Sequence, residues 1–230
     1  MKLIWLKWGA FASIAVLTNA VAGTTALAQD QPSSQSSSSS AASAPAPAQG
    51  KEKKKPIIEQ RKENQQNRIS DGVKSGQLTA RETGNLEKKE AAINKETDAD
   101  RAANGGKLTP AEKAQVTRQQ NEVSRQIYRD KHNASAAHFG NNKVGQRREN
   151  QQDRIAQGVK TGQLTPGETA KLEKQQTAIN KQVAADRKAN GGTLTAAQKR
   201  QINKEQNQIS RNIYRKKHNA AKQDNAKPKS

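Results

Sequence analysis

A short motif that joins a glycine, a hydroxyl and a carboxyl or amide group occurs four times in the chain. Its pattern is Gly-x-Leu-Thr-x-x-Glu/Gln, and the four examples start at Gly76, Gly106, Gly162 and Gly192. Oxygen-bearing side chains at this spacing could bind a hard cation such as calcium, which takes six to eight oxygen ligands. Alternatively, the threonine and the side chain three positions later could cap the first turn of a helix.

The capping interpretation accounts for all four motifs. Each pairs a threonine with Glu or Gln three residues later, which is the capping-box spacing. Pro110 and Pro166 directly follow two of these threonines and would occupy the first helical position, where a missing N–H is harmless. Glycines upstream, such as the Gly105-Gly106 pair, suit the left-handed residue that ends the preceding helix.

The same spacing resembles the second half of an EF-hand calcium loop, with glycine at loop position 6, an aliphatic residue at 8, Ser/Thr at 9 and Glu at 12. Residues 71–82 match this pattern at Asp71, Ser75, Gly76, Leu78, Thr79 and Glu82, but Val73 stands where an oxygen ligand is expected. The resemblance implies a weak calcium site formed by Asp71, Ser75 and Glu82; otherwise no cofactor is expected.

The other three loops depart further from the EF-hand pattern. Arg101, Gln157 and Arg187 take the first ligand position, and Gln198 replaces the last glutamate. A guanidinium at a ligand position opposes a cation. The second loop could still form an expanded site from Asp98, Asp100, Asn104 and Glu112. If the helix between the first two loops is unbroken, its length of about 37 Å places those loops at opposite ends.

Clusters of basic residues suggest a second kind of chemistry, the binding of phosphate- or sulfate-bearing polymers. One cluster is Lys53, Lys54 and Lys55; others end the predicted third helices, at Arg125, Arg129 and Lys131 and at Arg211, Arg215, Lys216 and Lys217. Cations near a helix C-terminus also complement its dipole. Their attraction for polyanions should weaken steeply with salt.

The elements that must position these groups are helices. Helices are predicted at 56–74, 79–103 and 109–133, since apolar residues recur at helical spacing and nothing alternates with period two. The expected core is thin, and Tyr128 and Tyr214 are expected to close its edge. The predicted apolar positions are Ile69, Val73, Leu78, Leu86, Ile93, Leu108, Val116, Val123 and Ile127.

The helical segment occurs twice. Residues 61–133 align with 147–219 at an offset of 86 without a gap, and 45 of 73 positions are identical. We therefore predict an all-α protein of two tandem three-helix copies, 56–133 and 147–219, joined by a linker at 134–146. Of the aligned segments, residues 61–133 hold 15 basic and 11 acidic residues, and residues 147–219 hold 16 and 6. Copy two and the lysine cluster are thus the expected polyanion contacts. Each copy alone should have low stability, aided by pairing of the copies or by self-association.

The remaining segments are read from composition. Residues 1–28 are predicted to form a signal peptide. Lys2 and Lys7 precede a stretch of small and apolar residues, and Ala26-Leu27-Ala28 lies at the expected cleavage site. Residues 29–55 predict a disordered Ser/Ala/Pro/Lys-rich tether, and 220–230 a disordered tail. Cleavage after Ala28 removes two lysines, so the mature chain keeps 39 basic and 21 acidic residues, net +18. The chain has no cysteine.

These features indicate an exported, periplasmic or secreted, non-enzymatic interaction protein that binds polyanionic envelope or extracellular polymers. Weak binding of calcium or another divalent cation is the alternative, and a helical envelope protein without a specific ligand is a third. We see no nucleophile motif, no phosphate loop and no carboxylate cluster in an apolar setting. His132, His138 and His218 are too scattered for a metal cluster, and sequence-specific nucleic-acid binding is not expected. The chain also resembles duplicated secreted bacterial helical proteins with Gly-x-Leu-Thr-x-x-Glu turns, which imply export and no particular activity.

Overall fold

The computed structural model describes residues 55–223, which form six α-helices and no strand. The helices are α1 (Ile57–Lys74), α2 (Ala80–Ala103), α3 (Pro110–Lys131), α4 (Lys143–Lys160), α5 (Pro166–Ala189) and α6 (Ala196–Lys217). The all-helical prediction is confirmed for this part of the chain. Predicted and observed helix ends agree to within two residues in α1–α3, and motif threonines mark the starts of α2 and α3.

The helix starts have the predicted chemistry. Thr79, Thr109, Thr165 and Thr195 each accept a hydrogen bond from the backbone N–H three residues later, and the side-chain oxygen of that residue accepts the threonine N–H. For α2, the Thr79 N–H donates to Glu82 Oε2 at 2.9 Å. Pro110 and Pro166 begin α3 and α5. At the other end, Gly106 has φ of +85° and its N–H donates to Arg101 O at 2.7 Å, which closes the end of α2.

Helices of the same length recur in the same order. α1, α2 and α3 have 18, 24 and 22 residues, and α4, α5 and α6 again have 18, 24 and 22, each 86 residues further on. We call α1–α3 the N-terminal half and α4–α6 the C-terminal half. Each half surrounds an apolar cluster, and the cluster of the N-terminal half also includes Ala156 of α4. All nine predicted core positions of the N-terminal half are buried.

The two halves lie in one compact unit and pack on each other through α1 against α4 and α2 against α5. In the α1–α4 contact, Ser70 Oγ donates to Ala156 O at 2.9 Å. In the α2–α5 contact, a Cβ built on Gly84 would lie 3.3 Å from Glu173 Cβ, and one on Gly167 would lie 4.0 Å from Ala91 Cβ. These two contacts show that α2 and α5 run in opposite directions.

The segments between and after the halves differ from the predicted boundaries. α4 begins at Lys143, inside the predicted linker, and a Cβ on Gly145 would lie 2.0 Å from Phe139 O, so the linker passes too close for any larger residue. Gln223, in the predicted tail, is buried, and its Nε2 donates to Leu164 O at 2.6 Å. The predicted signal peptide, the tether up to residue 54 and the tail from residue 224 lie outside the described residues.

Within residues 55–223, no helix combines the length and apolarity needed to cross a membrane.

Candidate functional site

The three residues of the predicted calcium site are already engaged with protein groups. Glu82 Oε2 accepts the N–H and hydroxyl of Thr79, and its Oε1 accepts Asn133 Nδ2 at 2.7 Å. Asp71 is exposed and its Oδ1 lies 3.5 Å from Lys160 Nζ. Ser75 Oγ donates to Gln77 Oε1 at 3.1 Å. The loop thus uses the side-chain oxygens of Ser75 and Glu82 for the turn and the cap, and the Asp71 carboxylate pairs with a lysine of α4.

The expanded second loop is arranged around a donor rather than a set of acceptors. Asn104 Nδ2 points at both carboxyl oxygens of Glu112, at 2.9 and 3.0 Å. Helix α2 is unbroken, so the first two loops lie at its opposite ends, as predicted. Among residues 55–223, no group of three or more His, Cys, Asp or Glu side chains is placed to hold a metal ion.

The predicted polyanion contacts fall into three sets. Lys53 and Lys54 lie outside the described residues, and Lys55 Nζ pairs with Glu63 Oε2 at 2.7 Å. Lys216 lies 3.8 Å from Glu168 Oε1. Lys217 is only 8% exposed and its Nζ donates to Gln157 Oε1 at 3.0 Å. Burial, together with the charge of Arg154, lowers the pKa of Lys217.

Arg211 and Arg215 have a different environment. Both are exposed and line an open groove of about 710 Å³ between α4 and α6, to which α4 contributes Arg154. We call it the arginine groove; its lining is completed by Gln208, Ser210 and Tyr214. No carboxylate is among these residues, so three guanidinium groups meet in one concavity without an internal counter-charge.

Neutral acceptors hold two of the three guanidinium groups. Arg154 Nη2 donates to Ser210 O at 3.2 Å, and Arg215 Nη2 donates to Asn212 Oδ1 at 2.5 Å. A carbonyl and an amide oxygen fix the arginines in place and leave their charge intact. Preorganised guanidinium groups suit phosphate and sulfate, whose oxygens accept paired N–H donors.

The N-terminal half has arginines at the three aligned positions but differs at one other position of the groove lining. The counterparts of Arg154, Arg211 and Arg215 are Arg68, Arg125 and Arg129, and Arg68 Nη2 also donates to Ser124 O at 3.2 Å. The counterpart of Gln208, however, is Glu122. Glu122 Oε1 lies 3.9 Å from Lys89 Nζ of α2, so the N-terminal half has a carboxylate on the same helix as Arg125 and Arg129. The sequence contained this signal as one Gln/Glu difference between the aligned segments, but only the helix pairing brings Arg154 to it.

Buried carboxyl groups occur where the halves meet, which corrects our expectation that none lies in an apolar setting. Glu87 and Glu173 are each 0% exposed, and one oxygen of each accepts an amide N–H, from Gln66 at 3.1 Å and from Gln152 at 2.9 Å. Burial raises the pKa of Glu173 to about 8. It also raises that of Glu87 well above its usual range, with the nearby carboxyls of Glu90 and Glu173 adding to the effect.

Glu90 is a third buried carboxyl, and it exists in only one half. Burial raises its pKa to about 7, opposed by the charge of Lys62. Its counterpart is Gln176, whose Nε2 donates to Gln151 Oε1 at 2.9 Å. These carboxyls could not be recognised as buried from the sequence, because charged residues in helices with few apolar residues are expected to face solvent. Gln66 and Gln152, from the two Asn-Gln-Gln runs, are the partners of Glu87 and Glu173.

The tyrosines do not close the core edge, contrary to prediction. Tyr128 and Tyr214 are 61% and 59% exposed. Each stacks on the histidine four residues later, with ring centroids of the Tyr128–His132 pair 4.2 Å apart, and the histidine Nδ1 lies 2.7 Å from the tyrosine carbonyl. Since a carbonyl only accepts, Nδ1 carries the proton. Histidine and tyrosine together cover the end of each third helix.

Comparison of the chain with protein-family models, curated proteins and solved structures finds no significant match.

Proposed function

We propose that this protein is an exported, non-enzymatic helical protein that binds polyanionic polymers of the cell envelope or its surroundings through the arginine groove. The observation that carries the proposal is the meeting of Arg154, Arg211 and Arg215 in one open groove, to whose lining residues 55–223 contribute no carboxylate. Binding by such a site depends on charge and geometry and needs no sequence-specific contact.

The charge difference between the halves supports the choice of site. Residues 147–219 hold 16 basic and 6 acidic residues, against 15 and 11 in residues 61–133. We infer that the halves are tandem copies of one three-helix unit, one of which has lost acids while it kept its cations. The change from Glu122 to Gln208 at the groove is part of that pattern.

The test compares two triple variants of the full chain. R154Q/R211Q/R215Q removes the three positive charges of the arginine groove, and R68Q/R125Q/R129Q removes three positive charges from the aligned positions of the N-terminal half. Affinity for a short heparin oligosaccharide is measured by calorimetry between about 0.05 and 0.2 M salt. Each lost contact should lower the slope of log K against log salt by about 1, so the groove variant should lose up to about 3 and its control much less. Equal losses would show that net charge alone drives binding.

Calcium binding by the first EF-hand-like loop stays an alternative proposal. Its support is the match at Asp71, Ser75 and Glu82, while the engagement of Glu82 in the cap counts against it.

A further inference from the structure

A second basic groove lies near the start of α4. It has a volume of about 540 Å³ and is lined by Lys143, Arg147, Arg187 and Lys199, among neutral residues that include Asn142 and Asn203. We call it the Arg187 groove. Among residues 55–223, no aspartate or glutamate lines it.

The Arg187 guanidinium has lost the partner that its counterpart keeps. In the N-terminal half, Arg101 Nη2 lies 2.7 Å from Glu59 Oε1. The residue aligned with Glu59 is Gly145, where the linker leaves no room for a side chain. Within residues 55–223, the Arg187 side chain makes no hydrogen bond or ion pair.

A second arginine makes this region more electropositive. Arg148 is buried, and its Nε has no hydrogen-bond partner among the described residues. Burial and the charge of Arg187 lower the pKa of Arg148. Its counterpart, Lys62, lies near the buried carboxyl of Glu90, whereas the C-terminal half has the neutral Gln176 there. Two cations thus face each other where the N-terminal half has carboxylates.

The two basic grooves lie along one seam between α4 and α6. Arg147 donates to Asn203 at 3.3 Å and to Asn207, and Arg154 donates to Ser210. Contacts therefore advance along both helices in the same direction. Arg147 and Arg154 are seven residues apart, so they share one face of α4 and stand about 10 Å apart along its axis.

The acidic residues of α4 lie on other faces. With 100° per residue, Glu149 and Asp153 stand about 200° and 240° around the helix from Arg147, away from the seam. On α6, the acidic Glu205 lines a cavity shared with α5. From Lys199 to Arg215, the seam extends about 24 Å along α6 at 1.5 Å per residue.

We propose that the arginine groove and the Arg187 groove form one track along the α4–α6 seam that binds a single extended, linear sulfated or phosphorylated polymer. This inference rests on the proposed function and narrows it. The ligand is a chain long enough to enter both grooves at once, and a compact anion fills only one. Simultaneous engagement makes the second contact intramolecular, which raises affinity without any new contact.

The test is a length series of heparin-derived oligosaccharides, titrated into the full chain at fixed salt and followed by fluorescence anisotropy. Affinity should rise with chain length until the chain spans about 24 Å and then level off. The variant K143Q/R187Q/K199Q should bind short chains as the wild type does and should lose on the order of a hundredfold in affinity for long ones. Since Arg187 makes no side-chain hydrogen bond or ion pair within residues 55–223, the variant should fold, which circular dichroism checks.

The matched control is K88Q/K174Q/K181Q, which removes three charges from the groove between α2 and α5. Its loss of long-chain affinity should be much smaller. If short chains bind but affinity does not rise with chain length, or if the two variants lose the same affinity for long chains, the single track is wrong. The proposed binding at the arginine groove is not contradicted by either result. If neither short nor long chains bind the wild type, the proposed function itself fails. Polyphosphate chains in a parallel series distinguish phosphate from sulfate as the preferred group.

Discussion

Replacing Glu90 by glutamine should stabilise the protein, increasingly so as pH rises. Glu90 is 1% exposed, and one of its oxygens has no hydrogen-bond partner among the described residues. Gln65 Oε1 is also buried and also has no hydrogen-bond partner among these residues. In the C-terminal half, Gln176 donates to Gln151, the residue aligned with Gln65. The variant E90Q copies that arrangement and supplies the missing donor.

The magnitude follows from the pKa of Glu90. Burial raises that pKa from 4.5 to about 7 in the folded chain. A raised carboxyl pKa means that the folded state prefers the neutral form. The contribution of neutral Glu90 to the stability of the folded state is complete below pH 4.5 and is lost as pH rises through about 7. Since one pKa unit is worth about 1.4 kcal/mol, ionising Glu90 costs the folded state about 3 kcal/mol at higher pH, and E90Q removes that cost.

Urea denaturation followed by circular dichroism, at several pH values from about 5 to 8.5, measures the free energy of unfolding. The gain of E90Q over wild type should be small at the acidic end and should approach about 3 kcal/mol above pH 7. The control E122Q removes an exposed carboxylate of the same half and should show no comparable rise. A gain for E90Q that does not change with pH, or a loss above pH 7, would refute the assignment of Glu90 as a buried neutral acid.

Three other predictions concern the interface, the caps and the loops. E173Q should flatten the loss of stability between about pH 4.5 and 8, because the pKa of Glu173 is raised from 4.5 to about 8 and its neutral form favours folding; an unchanged fall of stability over that range in the urea series would contradict this. T79A should lower the free energy of unfolding by about 1 kcal/mol through loss of the α2 cap, and no change at the urea midpoint would mean that the cap is dispensable. Calcium titrated calorimetrically into the full chain should give no binding tighter than millimolar, because Glu82 is engaged in its cap; micromolar binding abolished by E82Q would show that the loop is a site.

The helices and their ends could be predicted from the sequence because their signals are local. Each Thr-x-x-Glu/Gln spacing supplies its own hydrogen bonds, so Thr79 and Thr195 cap their helices regardless of what packs nearby. The buried apolar positions of α1–α3 could be predicted equally well from the sequence, since a side chain such as Ile69 has no polar group that competes with burial.

The contact between the halves could not be predicted in this way. Whether Glu87 is solvated or buried depends on α5 packing against α2, and helical periodicity within α2 does not contain that information. The same holds for Arg154, which joins Arg211 only because α4 lies beside α6. The tyrosines were misplaced because an aromatic ring beside a core isoleucine can turn outward when a histidine offers a stacking partner.

The central claim is that the arginine groove has Gln208 in its lining, whereas the aligned position of the N-terminal half holds the acidic Glu122. The double variant E122Q/Q208E exchanges these residues and keeps the composition and net charge of the chain. Hydrogen exchange with a short heparin oligosaccharide should show protection along α4 and α6 in the wild type and along α1 and α3 in the exchanged variant. Protection that stays on α4 and α6 in both proteins would contradict the account.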